Sequence, residues 1–161
     1  MFRTHQQARA IAERAREEAR IAGSPTVEAE HILLAIASEP GTAAQQVLAS
    51  AGLDHEAIGE ALEGEFADSL IGVGVSLSVF DVRHPANESA RTPRWGQSAK
   101  LVFQRAAKVV AARRDRRLEA THLLLGVLRA RIGTVPRALA LAGVDQDGLA
   151  SRAEAALAEG G

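Results

Sequence analysis

The sequence predicts an all-α fold made of two tandem four-helix repeats arranged as a pseudo-twofold globular bundle. Three observations predict it. Hydrophobic residues are 47% of the 161 positions while aromatics are only 3%, so the core has to be built from alanine and aliphatic side chains, which suits helix packing better than a sheet. Apolar positions recur at steps of three and four. A shift of 91 residues superposes one half of the chain on the other without a gap: Val27-Glu28-Ala29-Glu30-His31-Ile32-Leu33-Leu34 falls on Leu118-Glu119-Ala120-Thr121-His122-Leu123-Leu124-Leu125, and Leu48-Ala49-Ser50-Ala51-Gly52-Leu53-Asp54 on Leu139-Ala140-Leu141-Ala142-Gly143-Val144-Asp145. A four-helix unit of about 65 residues with small side chains buries little surface alone, so pairing with its twin accounts for two copies in one domain over 1–161.

The first helix of each repeat carries one apolar stripe, Ala8, Ile11, Ala12, Ala15, Ala19 and Ala22 in the first and Ala99, Val102, Phe103, Ala106 and Val110 in the second. The second helix is expected to begin near Thr26 and Leu118. Glu28 and Glu119 then fall in its first turn, against the positive end of the helix dipole, and its buried faces are Ala29, Ile32, Leu33, Ile36 and Ala120, Leu123, Leu124, Val127. A third helix spans about 42–51 and 134–142 and stops at Gly52 and Gly143, residues suited to a left-handed cap. Asp54 and Asp145 follow as N-caps of a fourth helix. These limits give repeat one as 2–65, a connector as 66–94 and repeat two as 95–158. In the connector, Leu70-Ile71-Gly72-Val73-Gly74-Val75 reads as a short helix or extended segment packed on the bundle. His84 to Pro93 reads as an exposed, mobile loop.

The composition excludes several functions. Without cysteine there is no disulfide framework or thiolate chemistry. No charged n-region precedes an apolar run, and no uncharged stretch of about 18 apolar residues exists, so the expectation is a cytoplasmic protein that neither crosses nor anchors in a membrane. No glycine-rich loop leads into Lys-Ser or Lys-Thr, which removes phosphate-cradling nucleotide chemistry. The five histidines form no metal-ligand spacing, and no metal or other cofactor is expected. His31 and His122 occupy twin positions. No serine, cysteine or orienting acid completes a catalytic set at a recognisable spacing, so their reading is structural, an imidazole hydrogen-bonded near the start of the second helix.

Charge is unevenly distributed. Residues 1–70 hold 5 Lys+Arg against 12 Asp+Glu, a balance of −7, and residues 71–161 hold 14 against 8, a balance of +6. Two readings follow: a pair of solvated faces, or an asymmetry that orients a charged partner or drives self-association. The string Arg113, Arg114, Arg116, Arg117 lacks the lysines, stacking aromatics or recognition helix of a nucleic-acid reader. A regulatory protein acting on nucleic acid through its basic half is therefore the alternative reading, not the leading one. Glu30 stands at a helix start without being needed to cap it. It is either a solvated acid or a receptor for a cationic group. Trp95, the only tryptophan, opens the first helix of the second copy and serves either as an exposed anchor for a peptide or as a core residue.

With these residues in place, the chain resembles the N-terminal domain of the Clp unfoldases, the ClpC type in particular. The resemblance rests on Glu30-His31-Ile32-Leu33-Leu34 and Thr121-His122-Leu123-Leu124-Leu125-Gly126, each preceded by a charged, alanine-rich helix and followed by a helix ending in Ala-Gly, and it spans about 2–157. It implies a non-enzymatic module that docks peptides, adaptor proteins or substrate proteins. The ATPase rings do not accompany it, which implies a free-standing copy that competes with a ClpC unfoldase or sequesters the cyclic peptides directed at it. The family binds phosphoarginine through a glutamate before each histidine. Glu30 matches the first, whereas Thr121 stands at the second and cannot pair with a guanidinium bidentately. The family's aromatic groove maps to Phe2, one position out of register, and to Trp95 in place of a phenylalanine. Phe2, Glu30 and Trp95 are the residues expected to contact a ligand.

Overall fold

The computed structural model describes residues 3–74 and 92–160. Among them the order is α1 (Arg3–Ile21), β1 (Thr26–Val27), α2 (Ala29–Ser38), α3 (Ala43–Ser50), α4 (His55–Gly72), β2 (Arg94–Trp95), α5 (Gln97–Arg113), α6 (Ala120–Leu128), α7 (Thr134–Leu141) and α8 (Gln146–Gly160). The eight helices are the two sets of four that the repeat predicts. One set is α1 to α4 and the other α5 to α8.

Within each set the helix ends are set by local chemistry. Thr42 accepts a hydrogen bond from the Gln45 amide at 3.1 Å and so caps α3. At the far end, Gly52 and Gly143 both have φ of 73°, and the amides of Leu53 and Val144 reach back to the carbonyls of Leu48 and Leu139, each at 2.9 Å. These are paired Schellman-type stops, which only glycine adopts without strain. Asp54 then accepts from the Ala57 amide at 2.8 Å and Asp145 from the Gly148 amide at 3.0 Å. The expected caps of the third and fourth helices are thus present in both copies.

The core forms where the two copies meet. α2 and α6 lie centrally and contact each other; α1, α3, α4 and α5 flank α2, while α1, α3, α5 and α8 flank α6. Each of Ile11, Ala15, Ile32, Ile36, Val102, Ala106, Leu123, Leu124 and Val127 is fully buried. α6 is covered all round, since every residue from Ala120 to Leu128 is buried. Two positions of the expected stripes differ. Ala22 lies beyond the end of α1 and is exposed, and Val109 rather than Val110 faces the core of α5.

The two copies also hold each other's helix starts. The first amide of α2, at Ala29, donates to Ser98 Oγ of α5 at 2.8 Å, and the first amide of α6, at Ala120, donates to Gln7 Oε1 of α1 at 3.4 Å. Positions 7 and 98 are equivalent under the 91-residue shift, so the swap is reciprocal. Orphan amides that other proteins cap locally are satisfied here across the pseudo-twofold.

The boundary expected at residue 66 does not coincide with a break in structure. α4 continues to Gly72, past Glu65, which is tied to Arg137 of α7 (2.9 Å) and to Ser69 (2.7 Å); Ile71 and Val73 are exposed, so the start of the connector does not pack on the bundle as expected. The helical option for the start of the connector is therefore the one adopted. Most of the exposed loop expected over 84–93 lies outside the described residues. No helix among those described is long and apolar enough to cross a membrane.

Candidate functional site

The expected start of the second helix at Thr26 needs correction. Thr26 and Val27 form a short parallel strand with Arg94 and Trp95, in the register Thr26 to Arg94 and Val27 to Trp95. The Arg94 amide donates to the Pro25 carbonyl at 3.0 Å and the Gly96 amide to the Val27 carbonyl at 2.8 Å. Thr26 and Val27 are β-branched and Pro25 precedes them, a combination that favours extended backbone. Trp95 is accordingly in β2 and not in the first helix of its repeat, as the sequence had suggested. The pairing carries the end of one copy's loop to the start of the other copy and sets the N-termini of α2 and α5 side by side.

Glu28 holds that junction. It is the N-cap of α2 rather than a first-turn residue, and its side chain accepts from the His31 amide in a capping box. The same carboxylate accepts from Thr26 Oγ1 at 2.6 Å, from Ser98 Oγ at 2.7 Å and from the Ser98 amide at 3.3 Å. One carboxylate therefore serves two helix starts and the strand between them. The N-cap of α5 is Gly96, where a Cβ would collide with the Glu28 carboxylate.

The twin histidines complete the capping boxes. His31 Nδ1 accepts from the Glu28 amide and His122 Nδ1 from the Glu119 amide, each at 2.9 Å, and both rings are buried. An Nδ1 that accepts from an amide leaves the proton on Nε2. His122 uses it against Asp115 Oδ2 at 2.8 Å; that bond, followed by Arg113, holds the Asp115 carboxyl below its usual range. Burial pushes His31 below its ordinary value, against the opposing pull of Glu28 and Glu18. In neither ring is a lone pair open to abstract a proton. The structural reading of both histidines matches this geometry. Asp115 as the partner of His122 was not foreseen, because Ser24 occupies the equivalent place in repeat one and the repeat gave no signal.

Glu30 lies in the first turn of α2 and is half-buried. Loss of water is the main cause raising its carboxyl above the ordinary value; its own amide opposes this, and the charges of Glu28 and Glu65 add to it. Among the described residues no Lys or Arg pairs with it. Thr121, its counterpart, is buried. Trp95 is half-buried: the Arg16 guanidinium stands 5.0 Å from its ring centre, and Phe103 meets it edge-on at 5.3 Å and 87°. The ring thus bridges α1 and α5. Val27, the register partner of Trp95, stands three residues before Glu30 in the sequence, but the ring partners of Trp95 are Arg16 and Phe103, whereas the charges acting on Glu30 are those of Glu28 and Glu65. Phe2 lies outside the described residues.

The basic string is partly committed to structure. Arg113 donates to Asp115 at 2.9 Å and to the Leu157 carbonyl at 3.0 Å, which fastens the end of α5 to α8. Arg114 closes α5 in a left-handed conformation at φ 60°.

Residues 3–76 match the family model of the Clp repeat (R) N-terminal domain. No curated protein matches the chain by sequence. Among solved structures, the N-terminal domain of the caseinolytic protease associated chaperone ClpD from Arabidopsis thaliana is similar with a TM-score of 0.63 and 18% identity, over 94% of this chain and 94% of that one. The Hsp104 N-terminal domain from Candida albicans gives 0.64 and 18%, over 91% of this chain and 86% of that one. At such identity the likeness is one of fold. Residues 3–76 are thus a Clp repeat N-terminal domain, and the chain as a whole has the all-α fold of the Clp N-terminal domains.

Proposed function

We propose that this protein is a non-enzymatic binding module of the Clp proteolysis system that takes peptides, adaptor proteins or substrate proteins at the junction of β1, β2 and α2. The observation that carries this reading is Glu30, a desolvated carboxylate with no cationic partner among the described residues, in the helix that follows β1, the strand paired with the one bearing the only tryptophan. A buried charge without a partner costs stability and is kept where a ligand neutralises it. A guanidinium or ammonium group from a peptide would do so here, with Trp95 giving an apolar and cation-attracting surface for the adjoining residue. The finer reading is a cytoplasmic decoy, which sequesters ClpC-directed cyclic peptides or competes with a ClpC unfoldase for adaptors and substrates. If phosphoarginine is a ligand, Glu30 gives it one pocket, and Thr121 does not supply the second.

The test is a titration of the protein with a ClpC-directed cyclic peptide, followed by Trp95 fluorescence and by calorimetry. A saturable fluorescence change with matching heat is expected, as is at least about tenfold weaker binding of a cationic peptide by Glu30→Gln, the loss of one charge-assisted pair. Absence of both saturation and heat overturns the decoy, and unchanged affinity in the variant overturns the role of Glu30.

A further inference from the structure

The two outer seams of the bundle are equivalent by the repeat but are filled differently. Where α4 meets α7, the buried Glu65 carboxylate accepts from Arg137 Nε at 2.9 Å across the seam and from Ser69 Oγ at 2.7 Å within α4. Burial alone would raise Glu65; the hydrogen bonds from Arg137 and Ser69 outweigh it and hold the carboxyl below its ordinary value. A shift of 91 turns Glu65 into Ala156 and Arg137 into Gln46. Both replacements line an open groove of about 510 Å³ between α3 and α8. The ion pair that crosses the α4–α7 seam has no counterpart in this groove.

On α8 the groove wall reads Arg152, Ala155, Ala156 and Glu159, four residues at helical spacing on one face. Arg152 is exposed and has one described bond, to Ser50 Oγ at 3.3 Å; Glu159 is exposed, with no ion pair described for it. The arrangement is complementary to itself. Turned by 180° about a point between Ala155 and Ala156, the helix sets alanine against alanine, so two backbones approach closely, and sets each Arg152 against a Glu159. A twofold contact uses every such pair twice, and a net charge of −1 opposes association little.

We propose that this groove is an interface between two copies of this chain, with α8 antiparallel to α8 of the partner subunit and Arg152 paired with Glu159 of the partner subunit. It replaces with an intermolecular charge pair the intramolecular one that crosses the α4–α7 seam. It does not involve Glu30 or Trp95, so peptide capture and self-association fail or succeed separately.

Sedimentation velocity of the full chain over a range of concentrations tests it. A reversible dimer that weakens with salt is expected. Arg152→Glu and Glu159→Arg should each raise the dissociation constant about tenfold, since each replaces two attractions by two repulsions. The double variant, in which the charges are exchanged, should restore it. Circular dichroism checks that the variants fold, which their exposed positions favour. A chain that remains monomeric throughout, or a dimer indifferent to both reversals and to salt, overturns the proposal.

Discussion

Glu28-Ala29-Glu30-His31 and Glu119-Ala120-Thr121-His122 begin equivalent helices, and side by side they separate what the repeat needs for folding from what it has to spare. The glutamate and the histidine are duplicated, with amide-to-Nδ1 distances of 2.9 Å in both. Their capping box is mechanical, and losing it in either copy would leave amides without partners. The position between them is not duplicated. Thr121 is buried beneath the α6 surroundings, while Glu30 is half-buried, with a carboxyl raised chiefly by desolvation. A duplicated motif that keeps its caps and varies one solvent-reachable residue has a scaffold in two copies and a candidate receptor in one.

The largest effect expected from probing this comparison lies two turns along the same helices, where Ala35 of α2 corresponds to Gly126 of α6. Alanine at 126 would place a Cβ on the Val102 carbonyl oxygen, a backbone atom that cannot turn aside. Helix propensity alone would favour Gly126→Ala by about 1 kcal/mol. Overpacking costs about 1–3 kcal/mol and more where, as here, a backbone atom has to move, so the propensity gain is outweighed and the expected outcome is a clearly lower Tm in a thermal melt. A rise in Tm would show that α5 and α6 can move apart to admit the methyl group.

A smaller but more discriminating difference is expected at the caps. Glu28→Ala removes a carboxylate shared by α2, α5 and β1, and should lose about 1–3 kcal/mol in urea unfolding by stranding several donors. Glu119→Ala removes a cap of one helix and should lose about 1 kcal/mol. Equal losses would mean that Glu28 contributes no more than the cap of α2.

The smallest effect has the opposite sign. The carboxyl of Glu30 is raised in the folded chain, so the folded state binds a proton more readily than the unfolded one. That stability is present at low pH and is lost as pH rises through the folded value. At neutral pH the ionised group is a net cost, and Glu30→Gln should raise Tm slightly there. The increment should shrink as pH falls through the usual carboxylate range. A variant that lowers Tm at neutral pH would assign Glu30 to the scaffold rather than to a site.

The caps and the periodicity were legible in the sequence because they depend on neighbours within one or two turns: Gly52 and Gly143, Asp54 and Asp145, and the α2 and α6 faces lie where expected. Thr26–Val27 and Trp95 were misplaced because two-residue strands have too few positions to show an alternating pattern, and their partners are about 68 residues apart. The pairing of Glu30 with Trp95 as candidate contacts came from a family resemblance. That β1 of the first copy meets β2 before the second depends on a strand pairing that no local pattern announces.

What the sequence determined by itself was the all-α class, the duplication and the chemistry of most helix ends. Each follows from composition, period and short-range hydrogen bonding, which are properties of contiguous segments. Only the tertiary structure decided that Glu28 serves two helices, that Gln7 and Ser98 cap across the pseudo-twofold, and that one seam is crossed by the Glu65–Arg137 pair while its twin holds a groove. These features join side chains far apart in the chain. Their partners are chosen by how the two copies dock, a packing outcome that the local spacing of residues does not encode.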